Sequence, residues 1–202
     1  MKTVVVFNHP YDGSYCSAIL KAVKSALEGS GQPCDLIHLD KDGFNPVMSA
    51  TELAAFVKAR TMGTEALKVL DEQTLSYARR LQNAEHLVLI FPIWWEVMPA
   101  LMKGFIDKLI FPGIAYGYNK RGMMRTTLTN LQRVTIITTM NTPNFIYRFI
   151  FGNALKGALV MGTFRKIGCK NVKWISLTKV KSSTAAKREK WLRNIKDYFS
   201  KL

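Results

Sequence analysis

Short apolar runs alternate along this chain with stretches whose apolar residues recur every three or four positions. That alternation predicts strands followed by covering helices, the pattern of βαβ units and of a parallel sheet buried on both faces. Five runs read as strands: KTVVVFN (2–8), CDLIHL (34–39), HLVLIFP (86–92), RVTIITTM (133–140) and NVKWISL (171–177). Helical spacing covers 15–29, 64–83, 97–109, 144–166 and 184–200, with Ala18, Ile19, Ala22, Val23, Ala26 and Leu27 on one face of the first. The segment SATE, Ser49 to Glu52, reads as a capping box and predicts one extra short helix. Five parallel strands with alternating helices suit the doubly wound order 2-1-3-4-5. In that order a ligand sits beyond the carboxyl ends of the strands, at the switch point between the first and third. Chemistry is therefore expected in the loops after strands one, three and four.

Composition narrows the class. With 202 residues, 48% of them apolar, the chain can bury a sizeable core, and residues 1–202 read as one α/β domain without repeats or a linker. Its start, MKTVVVFNHP, reads as a first strand and lacks the long apolar run of a signal peptide. The cysteines, Cys16, Cys34 and Cys169, are widely spaced and form no CxxC pair, so neither a disulfide framework nor a metal site is expected, and a reducing cytoplasm fits.

Charge is divided unevenly. Residues 1–100 carry nine Lys/Arg against eleven Asp/Glu, whereas residues 101–202 carry twenty against three. Such asymmetry suits an anionic ligand, an acidic partner or a membrane surface. No nucleic-acid reading motif accompanies it, so nucleic acid is not expected. FIYRFIFGNALKGALVMGTF (145–164) approaches a membrane span in length, yet Arg148 and Lys156 lie inside it. Two central cations are costly in hydrocarbon, which favours a helix buried against the sheet or a dimer partner over membrane contact.

The loop after strand one, NHPYDGSYCSAIL, places Ser14 as the N-cap of a helix, and the free N–H groups that follow suit a phosphate. It contains neither GxxxxGK[ST] nor GxGxxG, which excludes a nucleoside-triphosphate P-loop and the dinucleotide fingerprint. Cys16 near His9 suggests a nucleophile, but no arginine follows in the loop, and a half-buried structural thiol is the better reading. The loop after strand three, FPIWWEV, sets Trp94 and Trp95 between Pro92 and Pro99. Adjacent indoles at the mouth of a sheet offer a flat apolar wall, and the backbone of Pro92, Ile93, Trp94 and Trp95 can bond the edge of a planar ligand. The loop after strand four, TTMNTPNFIY (138–147), adds hydroxyls and an amide. A phosphate site at one loop and a flat ring between the other two describe flavin mononucleotide.

These pieces carry a family resemblance. The chain resembles the NAD(P)H:quinone oxidoreductases of flavodoxin-like fold, a group that also includes flavin-containing accessory subunits of potassium efflux systems. The matching segments are HP, S-Y-C and A-I-L in the first loop, Asn45–Pro46, FPIWW with PALMKGFIDK, AYGY at 115–118, and ITT at 137–139. Together they span almost the whole chain, and the block from Phe91 to Tyr118 is the most specific. The resemblance implies that His9, Ser14, Tyr15, Cys16 and Ser17 surround the flavin phosphate. It likewise sets Ile93, Trp94, Trp95 and Glu96 along the ring, and Thr138, Thr139, Met140 and Asn141 at its pyrimidine end. Tyr116 and Tyr118 match tyrosines that form the nicotinamide and quinone pocket in family homodimers.

Three departures stand out. The family has two glycines after the Thr-Thr pair, where this chain has Met140 and Asn141. Tyr147 falls within one position of a tyrosine that stabilises reduced flavin, but the histidine that should follow is missing. The long carboxyl-terminal extension that holds the adenylate half of FAD is also missing, which favours FMN over FAD. The expectation is a flavin-dependent NAD(P)H oxidoreductase reducing quinones in two ping-pong steps, the reduced ring steadied by the backbone N–H groups of 139–141 and the Tyr147 hydroxyl. Its rivals are an electron-transfer or regulatory flavin subunit and a basic binding module that docks on an acidic partner or membrane.

Overall fold

The apolar runs become strands in a computed structural model that describes residues 1–202, the side chain of Thr64 apart. In chain order the strands are β1 (Thr3–Phe7), β2 (Cys34–His38), β3 (His86–Pro92), β4 (Tyr116–Tyr118), β5 (Met124–Thr126), β6 (Arg133–Thr139) and β7 (Val172–Leu177). Five of them form one parallel sheet in the order β2-β1-β3-β6-β7, while β4 and β5 pair as a separate antiparallel hairpin. With the hairpin set aside, this is the predicted order. β1 and β3 are buried along their whole length, as strands covered on both faces must be.

Successive side chains of a strand point to opposite faces, and the core divides accordingly. Val4, Val6, Leu87, Leu89, Phe91, Val134 and Ile136 pack on one face against α2 (Ala50–Met62), α3 (Glu72–Gln82) and α4 (Ala100–Leu109). Val5, Phe7, Val88, Ile90 and Ile137 pack on the other against Ile19, Val23 and Leu27 of α1 (Tyr15–Gly29) and Ile195 and Phe199 of α5 (Ala185–Ser200).

Two contacts brace the first of these layers. Ser49 and Glu52 form the predicted capping box, and the helix it starts is longer than expected, running to Met62. Glu52 also meets the buried Lys108 of α4, whose Nζ lies 3.0 Å from Glu52 Oε1 and 2.7 Å from Oδ2 of Asp71, the N-cap of α3. Gly104 is the second brace. A Cβ there would fall 2.3 Å from the carbonyl oxygen of Pro46, so only glycine lets α4 lie against that loop.

Several predicted helices differ from those observed. The 64–83 helix is divided: Gly63–Val69 forms a 3-10 turn, and α3 starts afresh where Asp71 accepts the Thr74 N–H. The 97–109 helix starts only after Pro99, because residues 94–97 close a tight turn. The 144–166 segment is not one helix. It forms two wide π-helical stretches, Ile146–Ile150 and Lys156–Arg165, separated by Gly152 and Asn153 at φ 64° and 53°. Gly162 permits the wider winding, since a Cβ there would come within 3.0 Å of the Gly157 carbonyl oxygen. Among the described residues, no helix is long and apolar enough to cross a membrane, and no cluster of metal-ligating side chains is present.

Candidate functional site

The parallel register of β1, β3 and β6 delivers three loops to the same edge of the sheet. Direct contacts knit them together. Cys16 Sγ and Thr139 Oγ1 lie 3.2 Å apart, the Ile93 N–H donates to the Thr139 carbonyl at 2.8 Å, and the His9 and Trp94 rings meet edge-on at 6.0 Å.

The first loop ends in the Ser14 cap, whose Oγ accepts the Ser17 N–H at 3.1 Å. The N–H groups of Tyr15 and Cys16 meet no protein acceptor among the described residues, which leaves the α1 N-terminus able to receive an anion. The Tyr11 N–H donates to Nδ1 of His9, assigning the ring proton to Nε2, and burial lowers the His9 pKa against the opposing pull of Asp40. A neutral imidazole with one outward donor results. The Tyr15 hydroxyl donates to the Arg188 carbonyl in the first turn of α5 at 2.7 Å, so it is already engaged within the protein. Ser17 is buried, and its hydroxyl meets the Tyr11 carbonyl and Ser14 Oγ.

Cys16 is fully buried, not half-buried as expected, and burial pushes its thiol up to about 11, with the Thr139 hydroxyl pulling weakly the other way. A neutral, enclosed thiol is no nucleophile at physiological pH.

In the second loop Trp94 and Val97 exchange both backbone hydrogen bonds, at 3.0 and 3.2 Å. Trp95 and Glu96 between them take φ 49° and 65°, a type I′ turn in which glycine or asparagine is usual. Bulky residues at positive φ are costly and concentrate where function requires a fixed geometry. Here the turn lifts Trp95 to 97% exposure and leaves Trp94 at 45%, while Pro92 and Ile93 stay in the core.

Glu96 joins this turn to the third loop. Its Oε1 accepts from the Thr142 hydroxyl at 3.0 Å, and its carbonyl accepts from the Tyr147 hydroxyl at 2.8 Å. Tyr147 also receives the Leu155 N–H at 2.9 Å and has no exposed surface. Its expected contact with a reduced ring is thereby corrected: both roles of the hydroxyl are taken, and the residue is a buried pin holding the Trp94–Val97 turn. The backbone donors expected at 139–141 narrow as well, because the Met140 N–H donates to the Leu177 carbonyl. Those of Asn141 and Thr142 have no protein acceptor among the described residues.

The missing glycines have a structural counterpart. Met140 and Asn141 do not take positive φ, the Met140 side chain is buried in the core, and Asn141 Oδ1 accepts the Lys181 N–H at 2.9 Å. Neither substitution requires glycine's conformational freedom. Thr138 is buried too, its Oγ1 accepting from the Trp174 indole at 2.9 Å. Sequence reasoning missed Val97 and Thr142, and only the Thr142 hydroxyl close behind the Thr-Thr pair hinted at a role.

Tyr116 and Tyr118 lie apart from these loops. They sit on β4 with rings edge-on at 5.7 Å. Tyr116 is buried against a cavity of about 450 Å³ shared with Met48, Phe56, Ile106 and Met124, and Arg60 lies over the half-exposed Tyr118 ring. No residue of the three loops lines that cavity.

A model of the flavodoxin-like fold matches residues 1–199. The chain belongs to the flavodoxin-like family that contains the NAD(P)H:quinone oxidoreductases. Within the family it is 25% identical over 175 residues to an uncharacterised NAD(P)H oxidoreductase of Haemophilus influenzae, covering 86% of this chain and 82% of that one. An NAD(P)H:quinone oxidoreductase from Methanothermobacter marburgensis superposes with a TM-score of 0.85 at 20% identity, over 99% of this chain and 98% of that one. An FMN-dependent NADH-azoreductase from Bacillus anthracis, solved with FMN, superposes at 0.77 and 17%, over 100% and 99%. The fold is shared with both.

Proposed function

We propose that this chain is a flavin-dependent NAD(P)H oxidoreductase that holds FMN across the three loops and reduces quinones or related acceptors. One observation carries the reading: unpaired α1 N–H groups, an exposed two-indole turn and unpaired N–H groups at Asn141 and Thr142 converge on one sheet edge. When bound, the flavin supplies hydride chemistry, taking two electrons from a nicotinamide and passing them on.

The chain's own residues bind and orient. The N–H groups of Tyr15 and Cys16, with the positive end of the α1 dipole and the His9 Nε2–H, suit a phosphate ester. Trp94 and Trp95 present a flat apolar wall, and the cross-links from Tyr147 and Thr142 to Glu96 hold that wall in place before a ligand arrives. The N–H groups of Asn141 and Thr142 are donors toward negative charge developing on a ring edge. A homodimer in which Tyr116 and Tyr118 border the partner's ring face extends the same reading.

Titrating apoprotein with FMN and FAD, followed by flavin fluorescence, tests the proposal. Binding in the micromolar range or tighter, and bleaching of the bound flavin by NADPH or NADH, is the expected result. Failure to bind either flavin overturns the reading, and binding without bleaching favours a flavin carrier or regulatory subunit. Sedimentation at micromolar protein tests the dimer.

A further inference from the structure

A row of exposed apolar side chains continues from the end of the third loop along the first π-helical stretch. Phe149 is 83% and Ile150 67% exposed, with Phe145 and Phe151 beside them in sequence and also open. Nothing in the fold covers them. Phe149, Ile150 and Phe151 occupy the three positions between Arg148 and Gly152, both of which line a groove of about 690 Å³. Lys156 and Arg165 line the same groove, together with Met161 and Trp174. Among the described residues, none of these three cations takes part in an ion pair. The wider surroundings share the sign: from Lys108 to Arg188 the chain has fifteen Lys/Arg and no Asp or Glu.

We propose that the Phe145–Phe151 face and its basic groove dock on the surface of an anionic phospholipid bilayer. An aromatic and aliphatic row rimmed by cations is the composition that lies in the headgroup region, phenyl groups at the acyl boundary and cations among the phosphates. Spanning is excluded for this segment by its length and charge, whereas surface contact turns the same charge to advantage. A second copy of the chain is the poorer occupant, because a two-fold contact centred here sets Arg148, Lys156 and Arg165 against their own like charges. An apolar protein partner would bury those cations without compensation. Only an anionic, partly apolar surface satisfies both halves of the face. The inference stands independently of the redox reading. If both hold, the bilayer is also where a lipid-soluble acceptor would be met.

Co-sedimentation of the whole protein with vesicles tests it. Partitioning onto phosphatidylglycerol-containing vesicles and not onto pure phosphatidylcholine, weakening as salt rises, is expected. Each of Arg148→Gln, Lys156→Gln and Arg165→Gln should weaken partitioning roughly fivefold. Phe149→Ser with Ile150→Ser should weaken it on the order of tenfold or more, with far-ultraviolet circular dichroism unchanged because both positions are exposed. Absence of partitioning at low salt overturns the proposal. So does a Phe149→Ser, Ile150→Ser variant that partitions like wild type, and that variant dissociating a dimer while partitioning unchanged assigns the face to a second copy.

Discussion

Lys108 offers the sharpest test of how this fold is held. Its ammonium group sits between the capping glutamate of α2 and the N-cap aspartate of α3, so one cation secures two helix starts. Lys108→Met keeps most of the apolar stem and removes the charge, leaving the Glu52 carboxylate buried without its cation. Breaking a buried pair in this way costs about 3–5 kcal/mol. The Asp71 side chain is 45% exposed and keeps much of its hydration, so its arm counts only as a surface pair, under about 1 kcal/mol. The expected loss therefore lies near the lower bound, about 3 kcal/mol, a large share of a total of roughly 5–15 kcal/mol. Urea unfolding followed by circular dichroism should show a lower midpoint with an unchanged slope.

The pH dependence has a defined sign. Burial raises the pKa of Glu52, but hydrogen bonds from Ser49 and Lys108 outweigh it and hold the group below its ordinary value. Asp71 behaves alike, burial being outweighed by Lys108 and Thr74. Stabilisation by groups with lowered pKa values is complete above their unfolded values, near 4, and is lost as pH falls through the folded ones. Burial opposes charge on Lys108, yet Asp71 and Glu52 raise it, so its share persists until pH climbs past about 10.5. The gap between wild type and Lys108→Met should thus narrow on acidification, and adding Glu52→Gln should restore part of the loss. A variant within about 1 kcal/mol of wild type at neutral pH, or a gap that widens in acid, would refute the argument.

Four further outcomes are expected. Gly104→Ala should destabilise by about 1–3 kcal/mol in urea despite the better helix propensity of alanine, because the new methyl meets Pro46 backbone. Tyr147→Phe leaves the Glu96 carbonyl and the Leu155 N–H unpaired, so a loss of about 1–3 kcal/mol in melting experiments and weaker flavin affinity should appear together. Burial, helped by Arg133, holds the His86 imidazole down to about 3. Its contribution is complete above the unfolded value near 6.5 and lost toward pH 3, so His86→Gln should flatten the acid limb of a stability profile. Finally, kcat/KM for NADPH should exceed that for NADH at low salt, with the ratio falling as salt rises, because the acid-free stretch attracts the extra phosphate; a ratio indifferent to salt would contradict this.

How far the sequence foretold this structure depended on where each signal lived. Strands β1, β3 and β6 were legible because both faces are buried, which makes their runs rich in apolar and β-branched residues. Ser14 and the Ser49–Glu52 box were legible because a cap is a local device. The β4–β5 hairpin was not, since strands of three residues leave no period to read. The π-helical winding escaped because apolar spacing does not separate turns of slightly different width, and only the Gly157–Gly162 pair marks it. Side-chain direction was the hardest inference. Tyr147 and Tyr15 occupy positions suited to a ligand, yet their hydroxyls turn to Glu96 and to Arg188, partners 51 and 173 residues away in sequence. No local pattern announces such contacts.

The type I′ turn has an optical consequence. It holds one indole almost wholly in water and a second half in water beside it, while Trp174 lies partly enclosed and bonded to Thr138. Indole emission shifts to longer wavelength as its surroundings become more polar, so the Trp94–Trp95 pair should dominate the red side of the intrinsic fluorescence. A planar chromophore laid against that pair would quench the red component and leave the Trp174 contribution less affected. The turn thus gives the protein a built-in reporter, readable without label or substrate, of whether its sheet edge is covered.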